Sequence, residues 1–176
     1  MVALVYLGLV IGLNGLKGGW SIDFWREMIL FGSGVIIGVW LLFLDRLVYV
    51  YIYPQEQLSQ HVWYLWRQKR YGQALAILDA RRSEQNRLML RSALFMIIWV
   101  VLALFSLTST LSWFGKGVVM GLMWHVLYDS WRLQRVNPNK LTERLFWQIK
   151  KKVSTEEQLG FLTIVTVIFG LFSWWV

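Results

Sequence analysis

The stretch SALFMIIWVVLALFSLTSTLSWFGKGVVMGLMWHVLYDSW, Ser92–Trp131, sets the organisation of the chain. It is 40 residues long and carries only two formal charges, Lys116 and Asp129. Two membrane spans of ~20 residues joined by a tight turn fit that length. Basic segments flank it. Pro54–Arg91 and Arg132–Gln158 each hold seven Lys/Arg against three Asp/Glu. A membrane hairpin returns the chain to the side it left, so both basic segments are expected on one side. The bias of Lys and Arg toward inner loops makes that side the cytoplasm.

Composition points the same way. Apolar residues make up 57% of the chain and mean hydropathy is +0.48, more than a soluble domain of 176 residues needs for its core. Apolar side chains are therefore expected to face lipid. Of twelve tryptophans, Trp20, Trp25, Trp113, Trp131, Trp174 and Trp175 fall where a span should meet the headgroups, a depth that suits an amphipathic indole. The formal charge of +8 is concentrated beside the spans, so topology and anionic lipid account for it first. Nucleic-acid binding has no recognisable module behind it. With no cysteine, the chain has no disulfide, thiolate metal site, Fe–S cluster or cysteine nucleophile. Met1–Leu16 lacks a basic start and a small-x-small cleavage site, which argues against a removable signal peptide.

The expected fold is an all-α, polytopic integral membrane bundle of four to five transmembrane helices, forming one membrane domain over 1–176. Spans are expected at about 1–16, 28–46, 92–108, 113–131 and 159–176. The first is short, contains Gly8, Gly12, Asn14 and Gly15, and reads either as a span or as an interfacial segment. Asp45-Arg46 should mark the end of the hydrocarbon-buried part of the second, before Pro54 stops the helix. Residues 55–91 read as a cytoplasmic helical hairpin. Leu58, Val62, Leu65 and Trp66 lie on one stripe and Ala74, Ile77 and Leu78 on another, with a break expected at Tyr71-Gly72. Residues 132–158 read as a second cytoplasmic loop. There Asn137-Pro138 opens an amphipathic helix bearing Leu141, Leu145 and Ile149 and ending at Lys150-Lys151-Lys152. Ser154 and Glu157 have capping-box spacing for the last span. Gly8/Gly12, Gly34/Gly38 and Gly117/Gly121 stand four apart, which favours close helix packing within one bundle over a dedicated dimer face.

Ionisable residues inside spans are costly, and here they are few: Asp45 on the second span, His125 and Asp129 on the fourth. Arg91 opens the third at the same expected depth. His125 and Asp129, four apart, share a helix face. With Asp45 they could hold a divalent metal, Zn, Mn or Mg, leaving a coordination position for water. An ion network accounts for the same residues without chemistry, with Asp129 on His125 or Arg132 and Asp45 on Arg91. A proton or solute path is a third reading. His61, beside Trp63 and Trp66, reads as interfacial rather than as a ligand.

The segment Gly121-Leu122-Met123-Trp124-His125-Val126-Leu127-Tyr128-Asp129 resembles the Gly…His-x-x-x-Asp segment of the membrane-bound metal-dependent hydrolases, inner-membrane proteins that include a LexA-regulated type. Leu44-Asp45-Arg46 is similar to the Asp-containing segment that closes an earlier helix in that family. The resemblance implies a metal site on the cytoplasmic face and a hydrolytic role on a lipid-linked or phosphate ester substrate; in such an enzyme Asp45, His125 and Asp129 would be the metal ligands and Arg91 a charge-assisted donor to a phosphate or carboxylate. The family also carries histidines in its first helix and in a His-Ser segment. This chain has none in the first helix and has Arg91-Ser92 in the second place, where a cation would oppose a metal or bind an anion.

Two functions of different kind therefore stand side by side. One is a metal-dependent hydrolase with a reduced ligand set. The other is a non-enzymatic scaffold or accessory protein whose basic, aromatic-rich loops dock anionic lipid headgroups or a protein partner. A channel or carrier ranks below both, because few polar residues line the spans and the halves show no broken-helix symmetry.

Overall fold

A computed structural model describes residues 2–18, 21–85, 87–110, 112–149 and 153–176 of the chain. Trp20, Leu111 within the expected turn, and the Lys150-Lys151-Lys152 run lie outside the described residues. The fold is all-helical, with no strand among the described residues. The order is α1 (Val2–Gly18), α2 (Ile22–Ile52), α3 (Gln57–Arg67), α4 (Tyr71–Ala80), a 3-10 turn (Arg82–Glu84), α5 (Ala93–Thr108), α6 (Trp113–Val136), α7 (Pro138–Leu145) and α8 (Thr155–Trp175). By length and composition, α2 and α8 are able to cross a membrane, and residues 3–15 of α1 together with α5 form shorter apolar helices.

Local chemistry explains most helix ends. Ser21 Oγ accepts from the Phe24 amide, Ser92 Oγ from the Phe95 amide and Asn137 Oδ1 from the Lys140 amide, each satisfying an orphan donor of a first turn. Pro138 follows as the first residue of α7, and Ser154 with Glu157 closes a reciprocal capping box on α8. Two boundaries differ from expectation. The hairpin breaks at 68–70, before Gly72, which lies inside α4. There Lys69 takes φ 58, the Lys69 amide donates to Trp66 O and the Arg70 amide to Leu65 O, a Schellman closure with lysine in the left-handed position. In addition, α7 ends at Leu145, so Ile149 leaves the stripe of Leu141 and Leu145 and is exposed. As expected, α2 runs on through Asp45-Arg46 and ends at Ile52, just before Pro54, and both charges find partners outside the helix.

The bundle is built on α2 against α6, the most extensively packed pair. A Cβ added at Gly34 would strike the Phe114 carbonyl, at Gly38 the Val118 carbonyl and at Gly117 the Phe31 carbonyl. At Gly121 it would stand 2.6 Å from the Val35 Cα. The two glycine pairs thus face each other's helix and let backbone meet backbone. Contacts advance together, Phe31 with Gly117 and Val35 with Gly121, so α2 and α6 run parallel. The helix α5 is antiparallel to α6, with the Trp99 indole donating to Val119 O at 2.8 Å. On the other flank α8 also runs antiparallel to α6, tied by Trp131 Nε1 to Thr166 Oγ1 at 2.9 Å. Buried Tyr6 of α1 reaches Ser173 Oγ and lies against Phe31, Trp124 and Phe169. A second core, Leu58, Val62, Leu65, Ala74, Leu78 and Leu88, packs the hairpin onto Tyr49 and Val50 at the tail of α2.

The α2–α6 contact gives a direct check. Gly38→Ala or Gly121→Ala should cost about 1–3 kcal/mol, the range for overpacking a close contact. Gly8→Ala should be neutral or slightly stabilising, since a Cβ there meets nothing within 4 Å. Thermal unfolding of the detergent-solubilised variants, followed by helical circular dichroism, measures both.

Candidate functional site

Because α2 and α6 are parallel and α5 and α8 antiparallel to α6, the C-terminal ends of α2 and α6 and the N-terminal ends of α5 and α8 lie at one end of the bundle. Both basic segments attach there. This end holds a cavity of about 310 Å³ lined by Arg46 of α2, Arg82 and Arg91 of the first basic segment, Asp129 and Arg132 of α6, and Arg144 of α7. Five guanidinium groups thus face one cavity, with a single carboxylate in its wall.

Each wall residue has a traceable support. Arg91 is 6% exposed, and its Nη1 donates to Asp129 Oδ2 at 2.6 Å. Its Nε is buried without a hydrogen-bond partner in the protein. Burial pushes the Arg91 guanidinium down to about 10, Arg144 adds to the fall and Asp129 opposes it, so it stays charged at neutral pH. Arg144 is lowered as well, chiefly by burial, and its Nε is also unpartnered. Arg46, 6% exposed, donates to Asp79 Oδ1 at 2.9 Å. Asp79 also pairs with Arg82, and these two arginines hold its carboxyl below the usual range, Arg82 most strongly. Arg132 and Arg144 take part in no ion pair among the described residues. Behind this wall, buried Gln158 of α8 accepts from Thr142 and donates to Gln134, joining α6, α7 and α8.

The residues singled out from the sequence come to this end, in a different pairing from the one expected. Asp45 accepts from the Leu90 amide at 3.1 Å rather than pairing with Arg91. Asp129 takes Arg91, not His125 or Arg132. His125 is half-buried one turn before Asp129 on α6. Among the described residues no group of three or more His, Cys, Asp or Glu is placed to hold a metal ion. One oxygen of Asp45 already accepts from a backbone amide, and one oxygen of Asp129 already carries the Arg91 guanidinium. Arg46, Arg82, Arg132 and Arg144 were not legible as site residues. Only Arg46 carried a signal, a charge inside an apolar helix.

A second surface lies on the hairpin. Leu47 and Tyr51 of α2, Trp63, Trp66 and Arg67 of α3, and Tyr71 of α4 line an apolar groove of about 490 Å³. Trp63 and Trp66 meet edge to face with centroids 5.4 Å apart, and Tyr51 contacts both rings. His61, exposed on α3, lies outside this cluster.

No family model, curated protein or solved structure matches the chain.

The Arg91–Asp129 pair should behave as a coupled unit. Asp129→Leu alone should cost about 2–3 kcal/mol, below the roughly 3–5 of a fully buried pair, because Asp129 keeps 24% of its side chain exposed. The double variant Arg91→Met/Asp129→Leu should recover most of that loss. A double-mutant cycle on unfolding midpoints measures the coupling.

Proposed function

We propose that the chain is a multi-pass membrane protein with both basic segments at the cytoplasmic face, acting without catalysis as an accessory protein that holds anionic phospholipid at that end. The observation that carries this reading is a continuous one. Ile29, Ile36, Trp40, Leu44, Val48 and Tyr51 are exposed at helical spacing along α2, and the stripe runs into the aromatic groove of the hairpin, edged by Arg67. An apolar stripe that ends in indoles, phenols and a guanidinium matches the passage from hydrocarbon to headgroups.

Length supports it. Residues Trp25 and Asp45 stand 20 positions apart on α2, about 30 Å, which is the hydrocarbon thickness of a bilayer. At the end away from the basic segments, Trp25, Trp113, Trp174 and Trp175 begin or close α2, α6 and α8, and Lys116 Nζ sits 4.8 Å from the Trp113 ring centroid. The outer face of α5, with Leu94, Ile97, Ile98, Val101 and Phe105 exposed, has no polar side to offer water.

The hydrolase-like reading ranks second. In its favour, Asp45, His125 and Asp129 belong to the same end of α2 and α6. Against it, the carboxylates of Asp45 and Asp129 already serve Leu90 and Arg91. Stoichiometric Zn, Mn or Mg in the purified protein, lost in His125→Ala, would restore it.

Lipid selectivity tests the first reading. In mixed bilayers, spin-labelled phosphatidylglycerol should associate with the protein several-fold more strongly than spin-labelled phosphatidylcholine. The triple variant Arg67→Gln/Lys69→Gln/Arg70→Gln should lose most of that preference, on the scale of about 1 kcal/mol for each basic residue near the surface. Equal association of the two lipids with the unaltered protein would contradict it.

A further inference from the structure

We infer that the arginine-lined cavity between α2, α6, α7 and the segment before α5 binds a phosphoryl anion borne on a small organic remainder, an inference that rests on the reading of this end as the headgroup-facing one. The site is a defined cavity, distinct from the aromatic groove of the hairpin, and it shares none of the groove's lining residues.

The argument begins with charge. Guanidinium groups repel, and assembling five around one space is unfavourable unless an anion neutralises them. The protein supplies too few. Asp79 is divided between Arg46 and Arg82, and Asp129 serves Arg91. The buried carboxylate of Asp45 is turned to the Leu90 amide. Arg132 and Arg144 are left without an ion pair among the described residues. Donors are also left over at depth. Arg91 is buried to 6% exposure with its Nε unpartnered, and Arg144 Nε is likewise unpartnered. Leaving a charged donor buried and unmatched is costly, and an oxygen-rich anion removes that cost.

Shape narrows the ligand. Arg46 and Arg91 are buried while Arg82 and Arg132 are exposed, so cations stand both at the bottom and at the mouth. A phosphate presents oxygens in several directions and can accept from several guanidinium groups at once, whereas a planar carboxylate pairs with one or two. The remaining wall is Gln85, whose amide nitrogen donates to Leu78 O, and the aliphatic side chains of Leu88, Leu133 and Val136. With about 310 Å³ of space, it leaves room for a glycerol-sized remainder beside the phosphate. Asp129 already takes Arg91 Nη1, so its carboxylate competes with an incoming anion for that guanidinium.

Calorimetric titration of the purified protein in neutral detergent tests this with three probes: inorganic phosphate, dihexanoyl phosphatidic acid, and dihexanoyl phosphatidylcholine as the zwitterionic control. Saturable binding of phosphatidic acid with no binding of inorganic phosphate or phosphatidylcholine supports the site with a lipid headgroup as its source. Saturable binding of inorganic phosphate, in competition with phosphatidic acid, supports it with a soluble phosphate compound as the source. Arg82→Gln, which leaves Asp79 its pair with Arg46, and Arg132→Gln, which breaks no ion pair among the described residues, should each weaken binding by about fivefold or more, and Asp129→Asn should tighten it by a similar factor. No saturable binding of either phosphate probe overturns the inference, as does binding unchanged in the Arg82→Gln/Arg132→Gln double variant with its helicity intact. The triple variant at Arg67, Lys69 and Arg70 lies outside the cavity. If the bilayer preference proves absent while cavity binding persists, only the surface-docking reading fails; if the preference is present and cavity binding is absent, only this inference fails.

Discussion

Everything at the charged end of this molecule depends on a contact between two backbones. Gly34 and Gly38 of α2, and Gly117 and Gly121 of α6, each lie so close to the opposite helix that a single methyl group would collide with its main-chain atoms. Such an approach maximises dispersion contact between helices, which matters most where no hydrophobic driving force separates helix from solvent. It also fixes register and direction. With Phe31 on Gly117 and Val35 on Gly121, α2 and α6 are parallel, and the residues that follow each helix are delivered to the same place.

From that constraint the electrostatics follow. Parallel α2 and α6 bring Arg46 and Asp129 to one end, and the antiparallel α5 places Arg91 between them. The hairpin is then held by its own apolar core on Tyr49 and Val50 and by Arg46 on Asp79. Concentrating so much positive charge would be a liability in isolation. Beside an anionic leaflet it becomes an attraction, and the charge excess at this end is what the proposed function and the proposed cavity ligand both draw on.

The sequence made the helices legible wherever a local rule applied. Asn137-Pro138 and Ser154 with Glu157 announce helix starts by side-chain chemistry confined to one turn, and both caps are present. The glycine pairs on α2 and α6 were readable as close contacts, although not as each other's partners, and Gly8/Gly12 carries the same spacing with no neighbour against it. What failed depended on distant residues. The sequence matches Asp129 to its helix neighbours His125 and Arg132, whereas its partner is Arg91, 38 residues earlier, and it matches Asp45 to Arg91, whereas Asp45 accepts from the Leu90 amide. The hairpin break was misplaced for a different reason. The break is expected at Tyr71-Gly72 but falls at Lys69, which accepts the strained left-handed conformation because the Schellman hydrogen bonds from residues 69 and 70 offset it.

The absence of native cysteine allows the proposed membrane topology and the parallel arrangement to be tested together. Single cysteines at Gln73 on α4, Asn139 on α7 and Ser112 before α6 would be challenged with a membrane-impermeant maleimide in intact cells and in inverted vesicles. If α2 and α6 cross the bilayer in the same direction, Gln73→Cys and Asn139→Cys react only in inverted vesicles and Ser112→Cys only in intact cells. Reaction of the cysteines at 73 and 139 from opposite sides would contradict the arrangement on which the cavity and its proposed ligand depend.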